Sequence, residues 1–189
     1  MIVYFHGLEY PYVVVMDVEH DQGHLIQYAG ILLQNIGNGM YQIARSVNFY
    51  VKKEELNEFT VRYTHISTKF LATHGMELEE AQQLFYDEFL EDINPKDVLF
   101  VSHGVHQDSI VMKNSGFFID NSPHLCTYNL SKMVLKRERR IKLGDVLMEA
   151  CLWSVPEHNA YTDALETINV LSFLLKVGGD EIYEKIPRH

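Results

Sequence analysis

Apolar residues dominate residues 12 to 19, YVVVMDVE, on both sides of the chain. A strand turns successive side chains to opposite faces. Val13, Val15, Asp17 and Glu19 therefore share one face, and Val14, Met16 and Val18 the other. A strand apolar on both faces predicts a central place in a sheet covered on both sides. HLIQYAGILL (24 to 33) and YQIARSVNFYV (41 to 51) predict two more strands, separated by the turn-forming QNIGNG. Three strands in succession predict an antiparallel meander.

From residue 54 to 92 the period changes. ELEEAQQLFYDEFLEDI, from Glu77, predicts an amphipathic helix with Leu78, Ala81, Leu84, Phe85, Phe89 and Ile93 on one stripe. After the Asn94-Pro95 break, DVLFVSHG (97 to 104) predicts a buried strand, and a helix follows from about His106 to Asn114. Residues 125 to 151 predict a short strand and further helices, one of them basic. A long terminal helix starts near Asn159 and stops before Gly178-Gly179. Antiparallel strands followed by strands alternating with helices predict an α/β fold, a mixed sheet flanked by helices. No repeat, low-complexity tract or linker divides the chain, so one domain over 1–189 is expected. In such sheets ligands sit at the carboxyl ends of strands. Asp17 and Glu19 end the first strand, and Asp108 follows a later one.

Composition narrows the class. The 189 residues are 47% hydrophobic and 22% charged, as in an ordinary globular protein. The two cysteines, Cys126 and Cys151, have no CxxC or metal-finger spacing and point to a reducing compartment. Neither a signal peptide nor an apolar run of spanning length is visible, so a soluble, cytoplasmic protein without a membrane partner is expected. The net charge of −10 argues against broad docking on a polyanion. It is unevenly spread. Ser131 to Lys142 holds Lys132, Lys136, Arg137, Arg139, Arg140 and Lys142 against Glu138 alone, a local +5 in a chain otherwise at −15. Such a run is either a solvated face or a strip that tracks a nucleic-acid end.

Asp17 and Glu19, two apart on a strand, point the same way. Side by side at a buried strand end they repel and lose hydration. Either that end is open to solvent or a hard divalent cation such as Mg²⁺ or Mn²⁺ resolves the conflict. In HNAYTDALET (158 to 167), Asn159 is an N-cap candidate for a helix whose Leu165, Ile168, Leu171 and Leu175 form a buried face. His158 and Asp163 stand at its entrance. Alone, they read equally as a loop histidine and an acid complementing the helix dipole.

Together the motifs are more specific: D-x-E on the first central strand, D after a later strand, then H-x-A-x-x-D opening the last helix. This order resembles the DnaQ-like 3′–5′ exonucleases of the DEDDh branch, including proofreading subunits, oligoribonuclease and RNase T, over nearly the whole chain. LIQYAGILL and CTYNLSKMVL resemble the family's supporting strands and helix. The resemblance implies an RNase H-like fold. It also implies two divalent cations, Mg²⁺ or Mn²⁺, on Asp17, Glu19, Asp108 and Asp163, with His158 as general base. The implied activity removes nucleoside 5′-monophosphates from the 3′ ends of single-stranded DNA or RNA, with DNA slightly favoured. A homodimer or a larger replication or repair assembly is compatible with it.

The chain departs from the family in two places. After Glu19 many relatives carry a threonine-and-glycine turn leading to an apolar wedge, where this chain has HDQGHL. Near the second motif the family often shows His-Asn and a Phe before the Asp; here Gly104 follows His103 and Gln107 precedes Asp108. No metal ligand is lost, but the grip on the terminal base, and so the preferred nucleic acid, is affected. Candidate substrate contacts are His20, Lys136, Arg137, Arg139 and Arg140, with His24 as a further loop candidate. His103 and His106 read as structural hydrogen-bonding residues, and Trp153 as core. Two other readings use the same fold: an oligoribonuclease-like exoribonuclease, and a non-catalytic module that binds nucleic acid or a partner. The second has no need of four carboxylates and a histidine together.

Overall fold

A computed structural model describes residues 1–117, 119, 121–152, 158–183 and 185–187. Trp153, expected in the core, lies outside the described residues. The described strands are β1 (Ile2–Tyr4), β2 (Tyr12–Asp21), β3 (His24–Gly37), β4 (Met40–Tyr50), β5 (Val98–Ser102) and β6 (His124–Cys126). They form one sheet in the order β1-β4-β3-β2-β5-β6. The expected meander is β2-β3-β4, antiparallel throughout. β5 lies parallel to β2, and β6 parallel to β5. The short β1, which the hydrophobic pattern does not predict, pairs with β4 at the edge.

The helices are α1 (Glu58–Thr64), α2 (Thr68–His74), α3 (Leu78–Phe89), α4 (Val105–Asn114), α5 (Thr127–Val134), α6 (Leu143–Glu149), α7 (Ala160–Gly178) and α8 (Asp180–Tyr183). They cover both faces of the sheet. Val13 and Val15 pack with Ile168 and Leu171 of α7, Leu130 of α5 and Val146 of α6. Val14, Met16 and Val18 pack on the opposite face with Phe85 and Phe89 of α3 and Met112 of α4. Both faces of β2 are therefore buried, as its doubly apolar sequence requires. Each such side chain contributes about 1.5–3 kcal/mol when fully buried, which fixes β2, and with it Asp17 and Glu19, firmly in the sheet.

The carboxyl end of β2 has two local features. The register against β3 shifts between Glu19 and His20, a bulge of the kind that re-aims side chains near functional sites. Gln22 and Gly23 then make the turn with φ of 54° and 83°. Positive φ at both central residues suits the right-handed twist of a two-residue hairpin.

The basic segment departs from its predicted helix. α5 stops at Val134, and residues 135–142 form a loop. Lys136 sits at φ 51°, outside the helical region. A continued helix would crowd Lys136, Arg137, Arg139 and Arg140 with Glu138 alone to offset them. The loop instead sends Arg137 to an ion pair with Glu149 of α6. Among the described residues, no helix is long and apolar enough to cross a membrane.

Candidate active site

β2 ends beside the first turn of α7. There an oxygen from each of Asp17, Glu19 and Asp163 lies within 4.8 Å of the other two. Asp108, buried in the first turn of α4, adds its field to the same cluster. Asp17 is held well above the ordinary carboxylate range, first by burial and then by the charges of Asp108, Asp163 and Glu19. Glu19 is pushed up to about 8 by burial, with Asp163 and Asp108 adding to it. Burial raises Asp108 to about 7, against the opposing effect of a hydrogen bond from the Ser102 hydroxyl. The four carboxylates expected as ligands, separated by up to most of the chain, thus share one electrostatic environment.

This arrangement suits a hard divalent cation. Neighbouring buried carboxylates disfavour one another's ionised forms, and a cation bound between them relieves that cost with the oxygen ligands Mg²⁺ and Mn²⁺ prefer. Asp17, Glu19 and Asp163 have the spacing to share it, and Asp108 is the adjoining fourth ligand candidate.

Local structure explains how α7 is held there. Asn159 is the N-cap, its side-chain oxygen accepting from the amides of Tyr161 and Thr162 at 3.1 and 3.4 Å. The Ala160 amide, another unsatisfied donor of the first turn, donates to Gln27 Oε1 at 3.3 Å. Gln27 is fully buried, lies opposite Glu19 in the β2–β3 register, and donates to Asn48 Oδ1 at 3.0 Å.

His158 precedes this cap at φ 45°, a backbone region that non-glycine residues seldom adopt. It is half-buried, and its imidazole lies against Tyr63 of α1 with ring centroids 3.9 Å apart. Burial, then the charges of Lys142 and His65, lower its pKa. A lowered value keeps the ring neutral near physiological pH, the state that accepts a proton.

The candidate substrate contacts separate. His20 Nδ1 accepts from the Gly23 amide at 3.3 Å and so braces the hairpin; burial lowers its pKa against the opposing charge of Asp21. His24 is exposed. Lys136, Arg139 and Arg140 are exposed on the loop after α5. Arg137, Arg139 and Arg140 line an open cleft of about 410 Å³ with Asp145 and Glu149. Arg140 and Lys142 act electrostatically on Tyr63 and His158 respectively, so that end of the loop lies on the side of the site that holds these two rings. His103 holds it there, with Nδ1 3.0 Å from Thr127 Oγ1 and Nε2 3.3 Å from the Ile141 carbonyl. His106 is exposed.

Sequence reasoning misses several supporting residues. Asp21, 2% exposed, accepts from Lys53 Nζ at 2.7 Å, Thr60 Oγ1 at 2.6 Å and the Asn57 amide at 3.2 Å. That tie holds α1 to the end of β2. Ser102, Gln27 and Tyr63 escape it as well. The only signal in the sequence is the third acid of the alternation Asp17, Glu19, Asp21, which extends the carboxylate face of the strand.

Comparison with known proteins gives a family and a fold. The profile of the RNase T exonuclease family matches residues 14–171. No curated protein sequence matches the chain. Solved structures with an RNase H-like fold do. The nuclease domain of 3′hExo, a DEDDh family member bound to rAMP, superposes with a TM-score of 0.69 at 16% identity, over 89% of this chain and 94% of that one. Cell-death related nuclease 4 gives 0.68 at 18% identity, over 89% of this chain. The zinc-bound complex of E. coli Exonuclease I with single-stranded DNA gives 0.72 at 14% identity, over 92% of this chain. The chain spans 65% of the nuclease 4 chain and 42% of that Exonuclease I chain.

Proposed function

Because the chain belongs to the RNase T exonuclease family, we propose that it is a metal-dependent 3′–5′ exonuclease acting on single-stranded nucleic acid. It takes DNA slightly ahead of RNA, releases nucleoside 5′-monophosphates, and works as one domain in the cytoplasm. The observation that carries this reading is the meeting of Asp17, Glu19 and Asp163 within 4.8 Å, with the low-pKa His158 on the loop that leads into the same helix.

Asp17, Glu19, Asp108 and Asp163 are the proposed ligands of two cations, Mg²⁺ or Mn²⁺. When bound, such ions lower the pKa of water and stabilise charge on the entering and leaving oxygens of an in-line displacement. The protein's own residues do the rest. A ring nitrogen of His158 takes the proton of the attacking water as its oxygen bonds to phosphorus. The bond from phosphorus to the 3′-oxygen breaks, and that oxygen takes a proton from solvent water to leave as the new 3′-hydroxyl, while His158 returns its own proton to solvent. His158 sits on a loop and can approach the water; Asp163 sits on a packed helix and stays in place. The loop from Lys136 to Lys142 offers positive charge to the incoming strand, with Arg139 and Arg140 as direct contacts. Arg137 contributes through the same cleft, and His20 borders the terminal nucleotide from the β2–β3 turn.

An assay on matched single-stranded DNA and RNA oligomers, with and without added Mg²⁺ or Mn²⁺, tests the proposal. Metal-dependent shortening from the 3′ end supports it, and the faster substrate fixes the preference. Binding of the oligomers without hydrolysis under any metal would favour the non-catalytic reading.

A further inference from the structure

Tyr63 lies where a side chain can govern the orientation of His158. Its ring centroid is 3.9 Å from that of His158, with the ring planes 31° apart. Phe59, one turn earlier on α1, stacks on Tyr63 in its turn at 5.8 Å and 14°. Tyr63 is 47% exposed, so this stack contributes little to the core. The hydroxyl is raised by burial and by the charges of Glu19, Asp163 and Asp17, against that of Arg140. The residue is therefore close to both the histidine and the carboxylates.

The helix that carries Tyr63 is tied to β2 through Asp21. Asn57 caps α1 by accepting from the Phe59 amide at 2.9 Å, and the Asn57 amide donates to buried Asp21. Thr60 and Lys53 bind the same carboxylate. Asp21 is two residues beyond Glu19 on β2, so the platform beneath His158 is fixed to the strand that bears the proposed metal ligands. His158, by contrast, stands just before the helix cap with a left-handed backbone. The ring contact that its side chain makes is with Tyr63.

We propose that Tyr63 is a positioning residue for His158: its ring face, held by the Asp21 anchor, orients the imidazole for proton transfer from the attacking water. This deepens the nuclease reading and rests on it. The contact uses the ring and not the hydroxyl, because aromatic faces orient one another by offset and tilted stacking. A leucine in its place keeps bulk and apolarity but has no ring face.

The test compares wild type, Tyr63→Leu, Tyr63→Phe, His158→Ala and the Tyr63→Leu/His158→Ala double variant on a single-stranded oligomer at saturating metal. Tyr63→Leu is expected to lower kcat about three- to tenfold, the rate equivalent of one aromatic pair, with KM unchanged. Tyr63→Phe should stay within about twofold of wild type, since it keeps the ring face. In the His158→Ala background, Tyr63→Leu should have no further effect, the mark of two residues acting through one contact. A spectroscopic readout stands apart from turnover. The His158 ring proton resonance should be shifted upfield by the Tyr63 ring, keep that shift in Tyr63→Phe and lose it in Tyr63→Leu. An active wild type whose Tyr63→Leu variant keeps its kcat would overturn this inference alone. So would a loss of equal size in the His158→Ala background, or a rise in KM at constant kcat, which would make Tyr63 a substrate-stacking surface. A wild type with no turnover under Mg²⁺ or Mn²⁺ would overturn the nuclease reading itself, and this inference with it.

Discussion

Gln27 and Ala160 lie 133 residues apart and meet through a 3.3 Å hydrogen bond from the Ala160 amide to Gln27 Oε1. The bond joins the start of α7 to β3 directly opposite Glu19 in the sheet register. It satisfies a donor that every helix N-terminus leaves open. It also fixes how far Asp163, three residues on, stands from the strand that carries Asp17 and Glu19.

Gln27→Met should therefore harm both stability and turnover. The Ala160 amide would lose its acceptor in a buried setting, which costs about 1–3 kcal/mol in a urea or thermal unfolding experiment. Gln27→Glu retains an acceptor for Ala160 and should recover most of the turnover lost in Gln27→Met. Equal turnover in the two variants would show that the α7 register does not depend on this bond.

The raised carboxylates set a pH dependence for the metal-free protein. In the folded state Glu19 titrates near 8 and Asp108 near 7, whereas unfolding returns both to ordinary values of 4.5 and 3.8. Between those limits the folded state binds more protons than the unfolded state. Stability must then fall as pH rises through that window and level off above about 8, as far as these groups contribute. The melting temperature without metal should decline from pH 5 to pH 8. Added Mg²⁺ or Mn²⁺ should raise it more at pH 8, where the carboxylates are free to bind, than at pH 5. A metal-free Tm that climbs across this range would contradict the assigned burial.

The basic loop should affect binding unequally along its length. Arg137 is already engaged by Glu149, while Arg140 lies close enough to Tyr63 to act on it. Replacing Arg139 and Arg140 by glutamine should weaken single-strand binding and lower the slope of log K against log salt by about 0.7 per lost phosphate contact. Arg137→Gln should do less. Fluorescence anisotropy at several salt concentrations measures both, and an unchanged slope in the Arg139/Arg140 variant would make the loop an ordinary solvated surface.

The elements that position the carboxylates could be read in the sequence because each carries its own signature. β2 is apolar on both faces, α3 repeats at helical spacing, and α7 announces itself with Asn159 as cap. The meeting of Asp17, Glu19 and Asp163 was implied by the resemblance to the DEDDh exonucleases, together with the places of these residues at strand and helix ends. What escaped depends on partners distant in sequence. Ser102 matters through Asp108, Gln27 through Ala160, and Tyr63 through His158. None of the three stands out from its neighbours by periodicity or charge. The basic segment misled for a different reason. Its composition suits a helix, but crowded like charges, the ion pair to Glu149 and the His103 hold on the Ile141 carbonyl favour a loop. β1 is only three residues long, too short to show a period.

The central claim is that one site binds metal through carboxylates and moves a proton through His158. It is tested most directly by measuring turnover on a single-stranded 3′ end and metal affinity side by side in wild type, His158→Ala and Asp163→Asn. The account predicts that His158→Ala keeps metal and substrate binding while kcat falls about 10²–10⁴-fold, the usual worth of a general base. It predicts that Asp163→Asn loses metal affinity along with turnover, because an anionic ligand has gone. In wild type the activity should rise with pH through the histidine's titration, and that limb should vanish in His158→Ala. A His158→Ala protein that retains full activity at saturating metal, or an Asp163→Asn protein that binds metal as tightly as wild type, would contradict it.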